Sequence, residues 1–279
     1  MLGPDLHIHS TASDGTVTPG EVVARAAALG LPAIALTDHD SVDGVGEALE
    51  AGTRLGVTVI PAVELSAGAD GRSMHVLGYF VDHTDPVLTD RLERLRAVRL
   101  ERARRMVEAL AHAGYGIAIA DVLLEADGGA VGRAHVARTL VARGYASSLP
   151  DAFDRFLSRG RPFYVPKPVA DPRDVIGWIR DAGGIAILAH PGVSEVDDLI
   201  EDLVAGGLAG IEAYHRDHDE AERKRYATLA AALGLLVTGG SDFHGNERPT
   251  GGLGSADVPS EVLDRLLAAR PEATGHGRP

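Results

Sequence analysis

The chain has 279 residues, of which 40 are acidic and 27 basic, so its formal net charge is −13. It contains no cysteine, which excludes disulfide bonds, thiolate metal sites, iron–sulfur clusters and a cysteine nucleophile. The acidic balance argues against a protein that coats duplex DNA, because such binding depends on neutralising phosphates with lysine and arginine.

The sequence shows neither a secretory signal nor a membrane span. Its N-terminus lacks a basic stretch followed by an apolar core, and Gly, Pro or charged residues interrupt every apolar run before the ~18 residues that a span needs. We therefore expect a cytoplasmic protein without a membrane partner. The sequence leaves the oligomeric state open.

Short apolar strands alternate with helices over the first ninety residues. Strands are predicted at 5–9, 33–37, 57–60 and 75–81, and helices at 18–29 and 42–51. The first helix opens on Thr18-Pro19-Gly20-Glu21, a capping-box pattern with proline at the first helical position. Near-continuous apolar strands separated by helices are typical of parallel βα units covered on both faces.

The alternation stops after the fourth strand and resumes near residue 170. In between, helices are predicted at 85–113, 134–143 and 149–157, with no strand of comparable quality. The later part has predicted helices at 172–182, 197–205, 220–233 and 260–269, and strands at 185–189, 210–214 and 235–238. Seven strands suit a single sheet closed into a TIM-like barrel, with an open doubly wound sheet as the alternative.

The predicted helical insert differs in charge from the rest of the chain. Residues 91–167 carry 14 basic and 8 acidic side chains, a net charge of +6, whereas the remainder carries −19. Most arginines between Arg91 and Arg105 are interpreted as a solvated helix face. The pattern predicts an acidic barrel domain at 1–90 and 168–279 and a basic helical insertion domain at 91–167. The tail at 271–279, with His276, is expected to be disordered and to provide no ligand.

Histidines and carboxylates fall almost entirely at the C-terminal ends of the predicted strands, the rim where barrel enzymes assemble their sites. The nine positions are His7, His9, Asp14, His39, Glu64, His75, His190, Asp242 and His244. Burying them together without counter-charges would cost several kcal/mol for each unpaired charge. Six imidazoles and three carboxylates are too many ligands for one ion. They would hold two or three divalent cations, and imidazole and carboxylate ligands without a thiolate suit Mn²⁺, Zn²⁺ or Fe²⁺.

These motifs resemble those of the polymerase and histidinol phosphatase (PHP) superfamily. The matching segments are His7-Ile8-His9-Ser10, Asp14-Gly15, Thr37-Asp38-His39-Asp40, Glu64, His75, His190-Pro191 and Ser241-Asp242-Phe243-His244. The resemblance runs over residues 5–254 and implies a distorted (β/α)7 barrel with a trinuclear metal centre. By position it implies three ligand sets: His7, His9, Glu64 and Asp242; Asp14, His39 and His244; and a bridging Glu64 with His75 and His190.

The helical insert resembles that of one PHP branch, the 3′,5′-nucleoside bisphosphate phosphatases. The likeness rests on Gly132-Arg133-Ala134-His135-Val136-Ala137-Arg138 and Tyr164-Val165-Pro166-Lys167. It implies hydrolysis of the 3′-phosphate of adenosine 3′,5′-bisphosphate (pAp). Arg133 and Lys167 would bind the phosphate remote from the metals, with His135 assisting. For Lys167 an ordinary linker lysine is the alternative, and Arg138 is equally well explained by packing on the insert.

Further polar residues near the predicted rim have two readings each. His215 and His218 both qualify by spacing as a phosphate contact or leaving-group acid; the resemblance favours His218, and a surface histidine at a helix start is the alternative. Asp38 and Asp40 either orient metal ligands or cap the next helix. The remaining histidines, His83 and His112, have no catalytic group nearby.

The sequence therefore predicts a metal-dependent phosphoesterase in which clustered metals supply a hydroxide nucleophile and neutralise the phosphoryl oxygens. A 5′-nucleotidase, a 5′-3′ exoribonuclease acting on short RNA and a histidinol-phosphate phosphatase would share this chemistry. A non-catalytic metal or phosphate sensor is the alternative of another class, and the complete ligand set argues against it. Because bound cations would reverse the field at the rim, the net charge of −13 does not exclude a small phosphorylated nucleotide as the substrate.

Overall fold

The computed structural model describes residues 2–167, 169–245 and 252–271; His276 lies outside them. Seven strands form one sheet in sequential order. They are β1 Asp5–Ile8, β2 Ala33–Leu36, β3 Thr58–Ala69, β4 Arg72–Tyr79, β5 Ile185–Leu188, β6 Gly210–His215 and β7 Leu236–Gly240. A bridge between Ile8 and Phe243 brings the last strand back to the first. A Cβ on Gly240 would lie 2.2 Å from the His7 nitrogen, so only glycine permits this approach. The sheet is therefore a nearly closed barrel.

Eleven α-helices connect these strands in the described part of the chain. They are α1 Pro19–Leu29, α2 Val45–Leu55, α3 Pro86–His112, α4 Ile119–Ala126, α5 Arg133–Ala142, α6 Leu149–Ala152, α7 Pro172–Asp181, α8 Pro191–Ser194, α9 Ile200–Ala205, α10 Glu220–Ala232 and α11 Ser260–Ala268. The predicted capping box of α1 is confirmed, because Thr18 accepts from the Glu21 N–H and the Glu21 carboxylate accepts from the Thr18 N–H. Helices α4 and α8 were not predicted. No helix of the described residues is long and apolar enough to cross a membrane.

Strand β4 runs against its neighbours, so the prediction of parallel βα units is wrong at this strand. It pairs antiparallel with both β3 and β5, whereas all other pairs in the sheet are parallel. Asp70 and Gly71 join β3 to β4 as a two-residue turn with φ of 52° and 73°, the conformation that tight hairpins need. The start of β4 consequently lies at the rim where the parallel strands end.

The predicted helical insert, residues 91–167, contains most of α3 and all of α4–α6. Its apolar side chains, among them Met106, Leu110 and Leu140, form a cluster of their own, distinct from the clusters beneath the barrel strands. The insert contacts the barrel at the loop that carries Asp14. There the Ala130 N–H donates to the Ala12 carbonyl (3.1 Å), and Arg138 donates to the Asp14 carbonyl (2.7 Å).

Candidate metal centre and adjoining cavity

Glu64 lies at the centre of a buried histidine cluster. The prediction that Glu64 follows the third strand is wrong, because it lies within β3 and forms a backbone β-bridge with His39. Strand β3 continues past the rim into the hairpin with β4. Five imidazoles surround its carboxylate. The distances are 2.9, 3.3 and 3.4 Å from Oε2 to His39 Nδ1, His9 Nε2 and His7 Nε2, and 2.9 and 3.1 Å from Oε1 to His75 Nδ1 and His190 Nε2. The carboxylate thus has the geometry of a bridge between ligand groups.

The remaining predicted ligands adjoin the same cluster. Asp242 Oδ1 lies 3.1 Å from His9 Nε2 and 3.4 Å from His244 Nδ1, and Asp14 Oδ1 lies 3.2 Å from His244 Nε2. Within the described residues, groups with ligand atoms less than 4.8 Å apart include His9, Asp14, His39 and His244; His7, His9 and Asp242; and His39, Glu64 and His75. The structure therefore brings all nine predicted ligands together. Because His9 and His39 each belong to two groups, the assignment of ligands to individual ions stays a prediction.

Several of these buried atoms lack a hydrogen bond. They are His7 Nε2, both ring nitrogens of His9, His39 Nδ1, Asp14 Oδ1 and Glu64 Oε2. A buried polar atom left without a partner costs about 1–3 kcal/mol, and the atoms here all face one another. Imidazole nitrogens and carboxylate oxygens without a thiolate suit Mn²⁺, Zn²⁺ or Fe²⁺. The residues present therefore fit a group of divalent cations.

The cluster is electrostatically uneven. Burial opposes a charge on His9, but the adjacent carboxylates of Asp242 and Glu64 outweigh it and raise the pKa of His9 to about 9. Burial lowers the pKa of His39 to about 3. Cation binding near neutral pH must therefore displace a proton from His9 but not from His39.

Glu212 on β6 supports the cluster from behind, and sequence reasoning missed it. It is fully buried; its Oε1 lies 2.9 Å from His7 Nδ1, and its Oε2 accepts from the His190 N–H at 2.9 Å. Burial favours its protonated form, but the charge of His7 prevails and lowers the pKa of Glu212 to about 2. An ionised Glu212 keeps the His7 proton on Nδ1 and directs Nε2 to Glu64. The available signal was an acidic residue inside the apolar strand Gly210–His215.

Asp38 and Asp40 hold loops of the site and do not cap α2, whose N-cap is Gly44. The Asp38 carboxylate accepts from the Ser10 N–H (2.7 Å) and hydroxyl (2.6 Å), which fixes the loop between two ligands. The Asp40 carboxylate accepts from the Ser66 N–H (2.8 Å) and forms an ion pair with Arg99. Both aspartates therefore position ligand-bearing loops.

A cavity of about 640 Å³ adjoins the histidine cluster, within the size range of small-molecule sites. One wall contains ligand residues such as Glu64 and His75. The other wall comes from the helical insert and is cationic and aromatic. It includes Arg99, Arg102, Arg133, Arg138, Phe153, Tyr164 and Lys167. The interpretation of residues 91–105 as a solvated face therefore fails for Arg99 and Arg102.

The three predicted substrate contacts occupy different environments. Arg133 lines the cavity, with its guanidinium carbon 5.6 and 5.9 Å from the ring centres of Phe153 and Tyr164. Lys167 also lines it, but its ammonium contacts the Ser66 hydroxyl and lies 3.4 Å from Asp40 Oδ2.

His135 does not reach the cavity, contrary to the prediction of a phosphate contact. It is only 1 % exposed, and its Nδ1 accepts from the Gly132 N–H (2.9 Å) at the start of α5. Burial lowers its pKa to about 4, so it is a neutral capping residue near pH 7.

Of the two histidines after β6, His215 faces the cavity and His218 does not. The Asp217 N–H donates to His215 Nδ1 (3.2 Å), which leaves the proton of the neutral ring on Nε2, 3.8 Å from Asp242 Oδ2. His218 turns inward, where its Nδ1 donates to the Ala213 carbonyl (3.0 Å) and its Nε2 accepts from the Gly192 N–H (3.2 Å). Both its ring nitrogens are thus engaged by backbone, which contradicts a role at the rim. His83 and His112 lie outside the cavity lining, as expected.

Comparisons with known proteins agree with this geometry. The PHP domain family matches residues 5–122. A 3′,5′-nucleoside bisphosphate phosphatase of Chromobacterium violaceum is 38% identical over 250 residues, 88% of each chain. A 5′-3′ exoribonuclease of Haemophilus influenzae is 40% identical over 245 residues, 86% of this chain and 89% of that one. The crystal structure of a candidate metal-dependent phosphoesterase from Bifidobacterium adolescentis matches with a TM-score of 0.90 at 35% identity over 98% of both chains. The chain therefore belongs to the PHP domain family.

Proposed function

We propose that the protein is a metal-dependent phosphoesterase that removes the 3′-phosphate from nucleoside 3′,5′-bisphosphates such as pAp. The observation that carries the proposal is a cavity that has the Glu64 cluster on one wall and cationic, aromatic side chains on the other. A nucleoside bisphosphate presents two anionic groups separated by a sugar and an aromatic base. The name of the C. violaceum relative supports the same assignment.

The nine predicted ligands would hold two or three divalent cations, Mn²⁺ first. Such cations supply activation of water for in-line attack and neutralise charge on the phosphoryl oxygens. His215 presents its Nε2–H beside Asp242 and is placed to donate to an oxygen of the reacting phosphate. The backbone N–H of Asp217, which donates to His215 Nδ1, favours the tautomer that carries the proton on Nε2.

The helical insert, residues 91–167, acts in this proposal as a cap over the barrel domain at 1–90 and 168–279. Arg133 holds the phosphate that is not hydrolysed, since a guanidinium pairs bidentately with phosphate. Lys167 lines the same cavity, where a bound phosphate would favour its charged form. Phe153 and Tyr164 provide aromatic surface for the nucleoside and exclude water from the reacting phosphate.

A second candidate is a 5′-3′ exoribonuclease that acts on short RNA, favoured by the 40% identity with the H. influenzae enzyme. A 5′-phosphorylated oligonucleotide has the same 5′-phosphate and sugar as pAp, and differs in carrying a nucleoside on the 3′-linked phosphate. A 5′-nucleotidase or a histidinol-phosphate phosphatase needs only one phosphate site, and the cationic insert wall would have no role in either.

The test is to measure kcat/KM with Mn²⁺ for pAp, AMP, histidinol phosphate and a short 5′-phosphorylated RNA. We expect pAp to be preferred and Arg133→Ala to lower its kcat/KM by about 10- to 100-fold, the value of one charge-assisted hydrogen bond. Arg143→Ala is the matched control, because Arg143 follows the same helix but pairs with Asp121 on the surface. Equal rates on all four substrates refute the proposal, and a preference for RNA selects the second candidate.

A further inference from the structure

Three buried aspartates make the same contact around the rim of the barrel. Each carboxylate accepts from both the backbone N–H and the hydroxyl of one buried serine, on a neighbouring strand or in the loop that follows it. The pairs, with the two distances, are Asp5 with Ser241 (2.8 and 2.5 Å), Asp38 with Ser10 (2.7 and 2.6 Å) and Asp40 with Ser66 (2.8 and 2.8 Å). We call them the Asp–Ser clamps, and they connect β7 to β1, β1 to β2 and β2 to β3.

The Asp–Ser clamps lie beside predicted metal ligands. Each clamp residue is adjacent in sequence to a predicted ligand or two positions from one. In the order of the three clamps, these ligands are His7 and Asp242, His39 and His9, and His39 and Glu64. A clamp between two strands therefore also fixes the separation of the ligands beside it, because at most one residue lies between a clamp residue and its ligand.

Asp5 has more donors than its clamp alone supplies. Its Oδ2 also accepts from the Gly254 N–H (2.7 Å), and its Oδ1 lies 3.4 Å from the His7 nitrogen. The carboxylate thus joins β1, the loop after β7 and the segment that leads to α11. Burial raises the pKa of Asp5, and these hydrogen bonds oppose that shift by stabilising the ionised form. Asp5 does not line the cavity, so it can act on the site only through the residues that it holds.

Asp242 is the ligand that depends most on this anchoring. Its φ of 48° lies in the left-handed region, which residues other than glycine adopt at a cost unless their neighbours hold them there. On one side Ser241 is held by Asp5, and on the other side the Phe243 carbonyl accepts from the His9 N–H (2.8 Å). Between these two anchors the Asp242 carboxylate reaches His9, with 3.1 Å from Oδ1 to Nε2.

We propose that Asp5 is a positioning residue of the metal centre, which ties the loop after β7 to β1 and so presents Asp242 to the cations that His7 and His9 would bind. This inference rests on the metal-dependent function proposed above and extends it to a carboxylate outside the ligand set. A purely structural Asp5 would lower the stability of the barrel without acting through one ligand. The two roles therefore differ in whether the effect of Asp5 on cation binding depends on Asp242.

Asp5→Asn tests the proposal with almost no change in volume. Its single side-chain oxygen cannot replace both carboxylate oxygens, so the amide nitrogen faces the Gly254 N–H in one orientation and the Ser241 N–H in the other, donor against donor. The affinity for Mn²⁺ is measured by competition between the chelator-stripped protein and a fluorescent chelator. We expect Asp5→Asn to weaken Mn²⁺ binding by about 10- to 100-fold.

Leu266→Ala is the control for lost stability. Leu266 is a buried residue of α11 that belongs to the same apolar cluster as Leu6 of β1, and it does not line the cavity. This variant should unfold at a lower temperature, but its Mn²⁺ affinity should change by less than about twofold.

The decisive measurement is a double-mutant cycle with Asp242→Asn. If Asp5 acts through Asp242, adding Asp5→Asn to Asp242→Asn should weaken Mn²⁺ binding by less than about threefold further. Equal losses of Mn²⁺ affinity in the two backgrounds would show a structural role and overturn the inference. A folded Asp5→Asn protein whose affinity stays within about twofold of the unmodified protein would overturn it as well.

The outcomes separate this inference from the function on which it rests. If the unmodified protein releases no phosphate from pAp with Mn²⁺, the proposed function fails. If it does and Asp5→Asn binds Mn²⁺ as tightly as the unmodified protein, only the role of Asp5 fails. If Asp5→Asn does not fold, Ser241→Ala serves instead, because it removes only the hydroxyl of the clamp. We expect Ser241→Ala to weaken Mn²⁺ binding by about 3- to 10-fold, and an unchanged affinity refutes the clamp.

Discussion

Replacing Glu212 by glutamine removes one negative charge behind the metal centre with almost no change in volume. In the structure the Glu212 carboxylate has two tasks, since it lies 2.9 Å from His7 Nδ1 and accepts from the His190 N–H at 2.9 Å. A glutamine oxygen in the Oε2 position can still accept from both groups, because Oε2 also lies 3.1 Å from His7 Nδ1, but the amide nitrogen then faces His7 Nδ1 at 2.9 Å, donor against donor. In the opposite orientation the amide nitrogen faces the His190 N–H.

The magnitude follows from these two contacts. A buried N–H left without an acceptor costs about 1–3 kcal/mol, and loss of the charge weakens the remaining hydrogen bond to about half. Replacing a partner that orients a metal-ligating histidine typically lowers metal affinity by about 10- to 100-fold. We therefore expect Glu212→Gln to weaken Mn²⁺ binding by that factor, while kcat at saturating Mn²⁺ changes less.

The assay is competition between the chelator-stripped protein and a fluorescent chelator for Mn²⁺, with thermal unfolding to confirm the fold. Glu220→Gln is the matched control, because Glu220 begins the helix after the same strand and is exposed. A folded Glu212→Gln protein whose Mn²⁺ affinity stays within about twofold of the control would refute the orienting role.

Three further predictions concern the centre and its surroundings. His9→Ala and Asp242→Ala each remove one partner of a 3.1 Å contact in the cluster and should abolish phosphate release; substantial turnover in both would contradict a metal-centred reaction. Asp40→Asn leaves Arg99 and Lys167 without their carboxylate partner and should lower the free energy of unfolding by about 3–5 kcal/mol in urea titrations. The control is Asp43→Asn, at the more exposed pair with Arg96, which should cost less than about 1 kcal/mol. Similar costs for the two variants would count against the buried network. Burial and the guanidinium of Arg99 lower the pKa of Lys167 from 10.5 to about 7. Between those pH values the unfolded chain binds a proton that the folded chain has lost, so this residue makes the free energy of unfolding rise with pH. Unfolding in chelator at about pH 7 and about pH 9.5 should show a smaller rise for Lys167→Met, and identical slopes would contradict the lowered pKa.

Residue chemistry and local pattern were sufficient to predict the ligand set. His7 and His9 are two residues apart, so their side chains point to the same face of a strand. Most other ligands follow the ends of strands, and the rim of a barrel brings such positions together whatever the details of packing. The start of a helix was also predictable from local sequence, since the capping box that begins α1 consists of hydrogen bonds between Thr18 and Glu21, three positions apart.

The prediction for β4 failed although the sequence carries a local signal for its direction, the dipeptide Asp70-Gly71. A strand has the same apolar pattern whether it pairs parallel or antiparallel, and only the Asp70-Gly71 hairpin decides the matter. The reversal explains why His75, at the start of its strand, joins ligands that lie at the ends of theirs.

Which way the polar residues face, in contrast, was decided by remote segments. Arg102 is one of several similar arginines in α3, and only the packing of Tyr164 and α5 turns it toward the cavity. Spacing alone does not distinguish His215 from His218. The structure does, because backbone atoms of β6 and α8 hydrogen-bond to both ring nitrogens of His218. The sequence by itself thus determined the kinds of elements and the chemistry at their ends, because hydrogen bonding and hydrophobic periodicity act over a few residues. The orienting role of Glu212 and the cationic wall were decided only by tertiary structure, because they depend on contacts between segments far apart in the chain.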